Sequence, residues 1–408
     1  FDRRPRVSQS AQAASSAAAL LARARELHPI IAAEGPRSEE AGRLTGETVA
    51  AMRGGADLFS LLIPECFGGA EASTTDALRV IEAVSYADGS TGWVLMAAQC
   101  CTGMAAAYLG RDGAAEVFGK GIPIICGQGA ANGKAVVDGN GYRLTGHWSY
   151  GSGVLHSDYT HSGAIVVENG EPRPAADGHG PDILTFIVPT REAEMKGNWD
   201  VMGLRATGSV DYAMTDVFVP AEFTHPPHAT DPVQGGNIFS IGIIGMTALG
   251  HTGWILGVGR RALDEVAAQA RQHRPGRGHL PGLADTMTFH EAYGTAEARY
   301  RAAHALIYET WGDIQANLDA GGKMTTRQIT LMRLALNHAT SEIAEVVAWC
   351  YKTGGGTALR SSALQRCFRD TYSGTQHFLT TDVFLRESGR ELAGLAPGEH
   401  WTLLSLSK

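Results

Sequence analysis

Charge is scarce in this chain and no single sign dominates it. Only 19% of the 408 residues are Asp, Glu, Lys or Arg, and 34 basic against 42 acidic residues leave a net charge of −8. A nucleic-acid binder would carry a basic surface, so that class is set aside. Hydrophobic residues reach 44%, which excludes disorder driven by low hydrophobicity and high net charge. The cysteines Cys66, Cys100, Cys101, Cys126, Cys350 and Cys367 show no CxxC spacing. Neither a zinc site nor a secreted disulfide framework is therefore expected, and a reducing, cytoplasmic compartment fits. Arg3, Arg4 and Arg6 precede Ala- and Ser-rich sequence without a long apolar run, which does not read as a secretory leader. Complete GxGxxG, GxxxxGK[ST] and GxSxG motifs are missing; Gly127-Gln128-Gly129 and Gly354-Gly355-Gly356 are fragments. No nicotinamide-binding unit and no hydrolase elbow is recognised. His156 and His161 have no third ligand nearby and are expected to be polar strand residues, so no metal site is expected.

Glycine is abundant instead, at 51 of 408 residues. The length predicts two or three compact units. Two runs, Gly89 to Gly110 and Ile238 to Gly259, lack Asp, Glu, Lys and Arg altogether. Their length permits a membrane span. Their content of Ser90, Thr91, Gln99, Thr102, Ser240 and His251 favours buried helices of a protein core.

The hydrophobic period changes twice along the chain. Helical spacing is predicted over Ser10–Ala33, Glu39–Arg53 and Thr74–Ala87. Val136-Val137, Asp138-Gly139-Asn140-Gly141 and Tyr142-Arg143-Leu144 then read as a β-hairpin, because Asn and Gly tolerate the positive φ of a tight turn. Strands follow at Gly163–Val167, Ile183–Val188 and Val210–Val219, with Asn169–Pro181 as an exposed loop. Helices return at Asp285–Trp311 and Thr325–Tyr351. The expected fold class is α+β: an N-terminal helical domain over 1–120, a central antiparallel β domain over 121–232, and a C-terminal helical bundle over 233–408.

Three segments could carry chemistry. Gly146-His147-Trp148-Ser149-Tyr150-Gly151-Ser152-Gly153 offers aromatic surface, small residues and a hydroxyl, which suit a planar ring system. Met202-Gly203-Leu204-Arg205-Ala206-Thr207-Gly208-Ser209 leads to Asp216-Val217-Phe218-Val219-Pro220. Arg369-Asp370 is followed after six residues by His377. With the helix–strand–helix order, these segments resemble the acyl-CoA dehydrogenase superfamily over nearly the whole chain. That resemblance implies a C-terminal four-helix bundle, a homotetramer, and flavin between β domain and bundle. Common dehydrogenases carry a glutamate eight residues after the aspartate, where Phe378 stands here, and their Glu-Pro-x-Ala-Gly-Ser-Asp signature is missing. The Gly-x-Trp-x-x-x-Ser-Gly segment (Gly146, Trp148, Ser152, Gly153), the His377 spacing and Gly354-Gly355-Gly356 before the Arg-Asp pair look like another branch. That branch is the flavin-dependent monooxygenases similar to the oxygenase component of p-hydroxyphenylacetate hydroxylase, the steroid-phenol hydroxylases and dibenzothiophene monooxygenase.

The resemblance implies reduced flavin (FMNH2 or FADH2) and O2, a flavin C4a-hydroperoxide, and hydroxylation of an aromatic or heteroaromatic small molecule. The lack of a nicotinamide unit implies a separate NAD(P)H-dependent flavin reductase. By the same resemblance, Ser152 lies beside flavin N5, and His377 either steadies the oxygenated flavin or deprotonates a substrate phenol. Trp148, Tyr150 and Gly151 would lie against or beside the flavin ring, and Arg205, Thr207 and Ser209 would position it. Arg271 and Arg274 resemble arginines that reach a neighbouring subunit's flavin phosphate. Trp93, Met96, Gln99, Cys100, Cys101, Gln128 and Phe378 are the expected substrate-facing positions, with core packing as the competing reading. Three other functions stay open: N-hydroxylation of an amino sugar, an acyl-CoA dehydrogenase whose base is displaced to Asp264 or Glu265, and a flavin-free binding scaffold.

Overall fold

The computed structural model describes residues 16–176, 178–272 and 282–408. Helices begin where the sequence supplies caps. Ser16 accepts a hydrogen bond from the Ala19 amide and opens α1 (Ala17–Glu26). The single helix expected over Ser10–Ala33 is cut after α1, and α2 (His28–Ala41) restarts with proline in its first turn; residues 10–15 of that expectation lie outside the described residues. The helix expected over Glu39–Arg53 is cut as well. Gly42 turns left-handed at φ 64 to end α2, and Thr45 caps α3 (Gly46–Arg53). Next come α4 (Thr74–Ala87), α5 (Gly89–Tyr108) and α6 (Arg111–Phe118). Asp88 separates α4 from α5: its carboxylate accepts from the amide and the hydroxyl of Thr91, both at 2.9 Å.

The middle of the chain is a sheet. Its strands are β1 (Ile125–Asp138), β2 (Gly141–Trp148), β3 (Tyr159–Glu168), β4 (Glu171–Pro172), β5 (Ile183–Pro189), β6 (Glu194–Met195), β7 (Tyr212–Pro220) and β8 (Thr224–His225). The order is β6-β7-β2-β1-β3-β5-β8, with β4 paired to β3 inside the expected 169–181 loop. The expected hairpin is β1–β2, turning through Gly139 at φ 58. The sheet is mixed, which corrects the antiparallel expectation: β1 and β3 run parallel, with Ile125 opposite Tyr159. The reason is the connection 149–158. It leaves β2 and returns to the far side of β1, so β3 runs in the direction of β1. The Ser152 segment sits on that crossover.

The C-terminal helices are α7 (Gly242–Arg271), α8 (Met287–Asp319), α9 (Thr326–Leu359), α10 (Ala363–Gly374) and α11 (Asp382–Leu392). A short pair, β9 (His400–Trp401) and β10 (Leu406–Ser407), follows. Thr325 and Gln328 form a reciprocal cap on α9. Both uncharged runs are core helices. Every residue of α5 except Ala97 is buried. The segment Asn237–Arg271 is long and apolar enough to cross a membrane, and 83% of its apolar window is buried inside the protein. Glycine makes that burial possible: a Cβ on Gly257 of α7 would collide with the Glu82 carbonyl of α4.

The sheet also buries imidazoles. His161 is 1% exposed and neither ring nitrogen has a hydrogen-bond partner; the His225 ring lies 5.5 Å away and its Nε2 is likewise unpartnered. Burial lowers His161 to about 3 and His225 to about 4. Both values lie below the unfolded value near 6.5, so the unfolded chain takes up protons first. Stability is therefore lost as pH falls below about 6.5. Urea unfolding between pH 7 and 4.5 should show wild type losing stability relative to His161→Leu by up to about 1.4 kcal/mol per pH unit. Parallel curves for the two proteins would contradict the assignment.

Candidate active site

The Arg369-Asp370 pair on α10 acts first as a clamp. Asp370 is 2% exposed and its Oδ1 accepts from the Leu204 amide at 2.6 Å. Arg369 forms a two-point ion pair with Glu39 of α2 and donates to the Met202 carbonyl at 2.9 Å. Gly203, between them, lies so close to the Arg369 carbonyl that a Cβ has no room. The 202–209 loop is thus fastened to α10 and α2 before it reaches the sheet. Burial, and then the nearby Asp88 charge, push the Asp370 carboxyl up to about 7 against the pull of the Leu204 amide.

From Leu204 a line of hydrogen bonds runs to α5. Thr207 Oγ1 donates to the Leu204 carbonyl at 2.7 Å. Thr207 and Ser209 hydroxyls are 2.7 Å apart, Ser209 and Ser152 hydroxyls 2.8 Å apart, and Trp93 Nε1 donates to Ser152 Oγ at 3.0 Å. The direction of every proton in this line follows from its ends. A carbonyl only accepts and an indole N–H only donates. Thr207 spends its proton on Leu204, so Ser209 must donate to Thr207 and Ser152 must donate to Ser209. Ser152 Oγ therefore has no proton left to give and can offer a further partner only a lone pair. Backbone bonds from Gly151 to Val210 (3.1 Å) and from Gly153 to Thr207 (3.0 Å) hold the two loops in this register.

Trp93 also faces an imidazole pair. The rings of His251 and His377 are 4.1 Å apart, and the Trp93 ring lies 4.7 Å from His251, 4.9 Å from Trp254 and 6.1 Å from His377. His377 caps a short 3-10 turn, with Nδ1 accepting from the Leu379 amide at 3.4 Å. Its proton is accordingly assigned to Nε2. Burial lowers His377 to about 4; His251 falls well below the usual value through burial and then the charge of His377. Both rings are neutral at pH 7. Among the described residues, His251 has ring contacts but no hydrogen-bond partner, and it is 4% exposed. Sequence reasoning missed His251 as a site residue. The available signal was that it is the single titratable side chain in the run Ile238–Gly259.

The other expected positions divide. Tyr150 has a positive φ of 63 and is 68% exposed, with its ring edge-on to Trp199. Arg205 is exposed, Gly151 is buried beside Tyr212, and Gln128 is half-buried with its carbonyl bound to the Ala130 amide. Phe378 is 45% exposed with its ring 4.8 Å from His377. Met96 packs under Gly250, and Cys100 lies 3.3 Å from the Thr247 hydroxyl. The remaining expected positions within the described core are buried. Trp148 is fully buried, bonds the Gly163 carbonyl and stacks on Tyr212, so it is sheet core with no surface for a ligand. Gln99 has both ends of its amide on the Leu62 amide and Leu58 carbonyl. Cys101 belongs to a separate apolar cluster with Ile63 and Ile125. Thr207 and Ser209 are buried and orient Ser152 from behind. Arg271 is exposed at the end of α7, and Arg274 lies outside the described residues. Asp264 and Glu265 are paired with Arg260 and Arg261, about 20 Å along α7 from His251.

The chain matches the descriptions "Acyl-CoA dehydrogenase, N-terminal domain" over residues 15–120 and "Acyl-CoA dehydrogenase, C-terminal domain" over residues 249–382. It is 30% identical over 354 residues to an indole-3-acetate monooxygenase of Pseudomonas putida, covering 83% of this chain and 85% of that protein. It is 26% identical over 382 residues to the flavin-dependent monooxygenase oxygenase subunit HsaA of Mycobacterium tuberculosis, covering 88% and 91%. The solved structure of XiaF from Streptomyces sp. in complex with FADH2 and glycerol superposes with a TM-score of 0.85 at 25% identity, over 94% of this chain and 96% of that one.

The clamp makes a stability prediction. Asp370→Ala leaves the buried Leu204 amide without an acceptor and should cost about 1–3 kcal/mol in urea unfolding at pH 8. Asp370→Asn keeps an acceptor and removes a charge that burial opposes, so it should cost under about 1 kcal/mol. Equal losses for the two variants would show that Asp370 does not act through Leu204.

Proposed function

Because the chain belongs to the flavin-dependent monooxygenase branch of the acyl-CoA dehydrogenase superfamily, we propose that it is the oxygenase component of a two-component system that hydroxylates an aromatic or heteroaromatic small molecule. The observation that carries this reading is the proton order around Ser152. Reduced flavin presents an N5–H donor, whereas oxidised flavin presents a bare N5 acceptor. A serine whose own proton is spent on Ser209, and whose oxygen already takes the Trp93 N–H, suits the donor. The donor set therefore fits the reduced cofactor. Ser152 would hold N5, the exposed Tyr150 would lie beside the ring system, and the exposed Arg205 would meet a phosphate.

When bound, reduced flavin supplies the two electrons of the reaction; one oxygen atom of O2 enters the substrate and the other leaves as water. This chain's residues do the rest. Buried Trp93, Trp254 and His251 and the half-buried His377 form a neutral wall with no charged side chain among them, which limits stray protonation. The His377 tautomer supports a donor role, with Nε2–H meeting oxygen or a substrate oxygen. His251 is the matching acceptor, a neutral ring able to take a hydrogen bond from a phenol O–H or a ring N–H. The names of relatives described as an oxygenase subunit or component support a separate NAD(P)H-dependent flavin reductase as partner. The family resemblance supports a homotetramer, and six unpaired thiols, five of them buried, support a reducing cytoplasmic setting.

The test is to supply chemically reduced FMN or FAD, 18O2 and a panel of phenols and indoles. One labelled oxygen in an aromatic product is expected. Recovery of all oxygen as peroxide with every compound, despite tight binding of reduced flavin, would overturn the reading. With a substrate in hand, His251→Leu should lower the hydroxylation rate by about 100-fold or more while reduced-flavin affinity holds. An unchanged rate would remove His251 from the chemistry.

A further inference from the structure

Ala97 is the one residue of α5 that is not buried. Trp93 precedes it by four residues and Cys100 follows it by three, so the three share one face of the helix. An alanine has little surface to show, and exposure of so short a side chain marks open space beside it. Across that face stands α7. Ile243 and Thr247 are half-buried there, and His251 continues the same line in four-residue steps. Cys100 ties the two helices together: its Sγ lies 3.3 Å from Thr247 Oγ1 and 3.9 Å from the Ile243 carbonyl. None of these six side chains carries a charge at pH 7, His251 included.

The protons in this cluster can be placed. Thr247 Oγ1 donates to the Ile243 carbonyl at 2.7 Å, the bond a helical threonine makes back to the preceding turn. Its single proton is thereby spent. At the 3.3 Å contact the thiol must then be the donor. Burial pushes the Cys100 thiol up to about 11, against the pull of the Thr247 hydrogen bond, so it keeps its proton at pH 7. One lone pair of Thr247 Oγ1 receives the thiol and the other is left over. His251, one turn further along the same face and about 6 Å along the axis, offers the acceptor nitrogen of a neutral ring. Two acceptors thus stand in series along α7, with the one at Thr247 farther from Ser152.

We propose that Thr247 is a specificity-determining residue: its free lone pair accepts a hydrogen bond from a neutral donor, a hydroxyl or an N–H, on the end of the substrate remote from Ser152. The inference rests on the oxygenase reading above and narrows it. The favoured substrate is an uncharged aromatic molecule with two donors, one for His251 and one for Thr247, and Ala97 leaves the room for its ring. A carboxylate at the remote end would meet the Thr247 lone pair with no cation among the six residues, and burying a charge without a partner is costly.

The test is an equilibrium titration of the wild-type chain, without flavin or oxygen, using hydroquinone, 4-methylphenol and 4-hydroxybenzoate. Hydroquinone should bind about tenfold tighter than 4-methylphenol, the worth of one net hydrogen bond, and 4-hydroxybenzoate should bind most weakly. Thr247→Val keeps the shape, removes the hydroxyl and should erase the preference for hydroquinone. Thr247→Ser restores the hydroxyl and should restore the preference, which a purely structural role for Thr247 would not produce. Ala97→Leu fills the space and should weaken all three ligands. Equal affinity of hydroquinone and 4-methylphenol for wild type overturns the proposal, as does a preference that survives Thr247→Val, tightest binding of 4-hydroxybenzoate, or undiminished binding by Ala97→Leu. Such a failure leaves the oxygenase reading standing. A preference that depends on Thr247 in a chain that oxygenates nothing keeps the donor site and rejects the oxygenase reading.

Discussion

The peptide of Leu204 is the point from which the site is hung. Its amide is held by Asp370 at 2.6 Å, and its carbonyl takes the Thr207 hydroxyl at 2.7 Å and the Trp199 indole at 3.0 Å. A left-handed backbone at φ 55 would be strained in isolation for a residue with a branched side chain; three fixed partners keep it in place. Because the Leu204 carbonyl consumes the Thr207 proton, it dictates the order of protons through Ser209 to Ser152. A loop carbonyl thus sets the polarity of a hydroxyl three steps along the line, and the bond from the Leu204 amide to Asp370 holds that peptide against the bundle. The Arg369-Asp370 pair works at this level: it fixes the loop whose hydroxyls orient Ser152.

The second constraint is neutrality. Burial keeps His251 and His377 unprotonated, and the tryptophans around them carry no charge. In such a setting a hydrogen-bond donor and an acceptor a few ångströms apart do the work that an ion pair would do elsewhere, without drawing in water. The low charge of the chain follows from the same demand. Its two uncharged runs are α5 and the first two-thirds of α7, which build the wall of the site and pack tightly enough that glycine is required where α7 crosses α4. The glycine excess therefore belongs partly to helix crossings and only partly to the loops at 151–153 and 203–208.

Much of this was legible in the sequence. The order of helices and strands, the 138–141 turn, and the two loops with the Arg-Asp pair are local patterns, and local patterns are what sequence carries. The parallel β1–β3 pairing was not legible, because it depends on where the 149–158 crossover lands rather than on the strands themselves. Trp148 and Ser152 illustrate the same limit at the site. Four residues apart in one motif, one is locked under Gly163 and Tyr212 in the core while the other faces α5. Gln99 and Cys101 sit on the same uncharged helix as Trp93, yet α5 is buried on nearly every face, so its periodicity gives no sign of which face is functional. His251 was hidden for the complementary reason: a lone histidine in an apolar run acquires meaning only when folding brings His377 to 4.1 Å.

The central claim is that the Leu204-anchored line of hydroxyls makes Ser152 an acceptor and so favours reduced over oxidised flavin. The most direct measurement is the two-electron midpoint potential of flavin bound to the wild-type chain, set beside that of the free cofactor. The account predicts a positive shift, of about 30 mV for each tenfold preference for the reduced form. A bound potential equal to or below that of free flavin would contradict it.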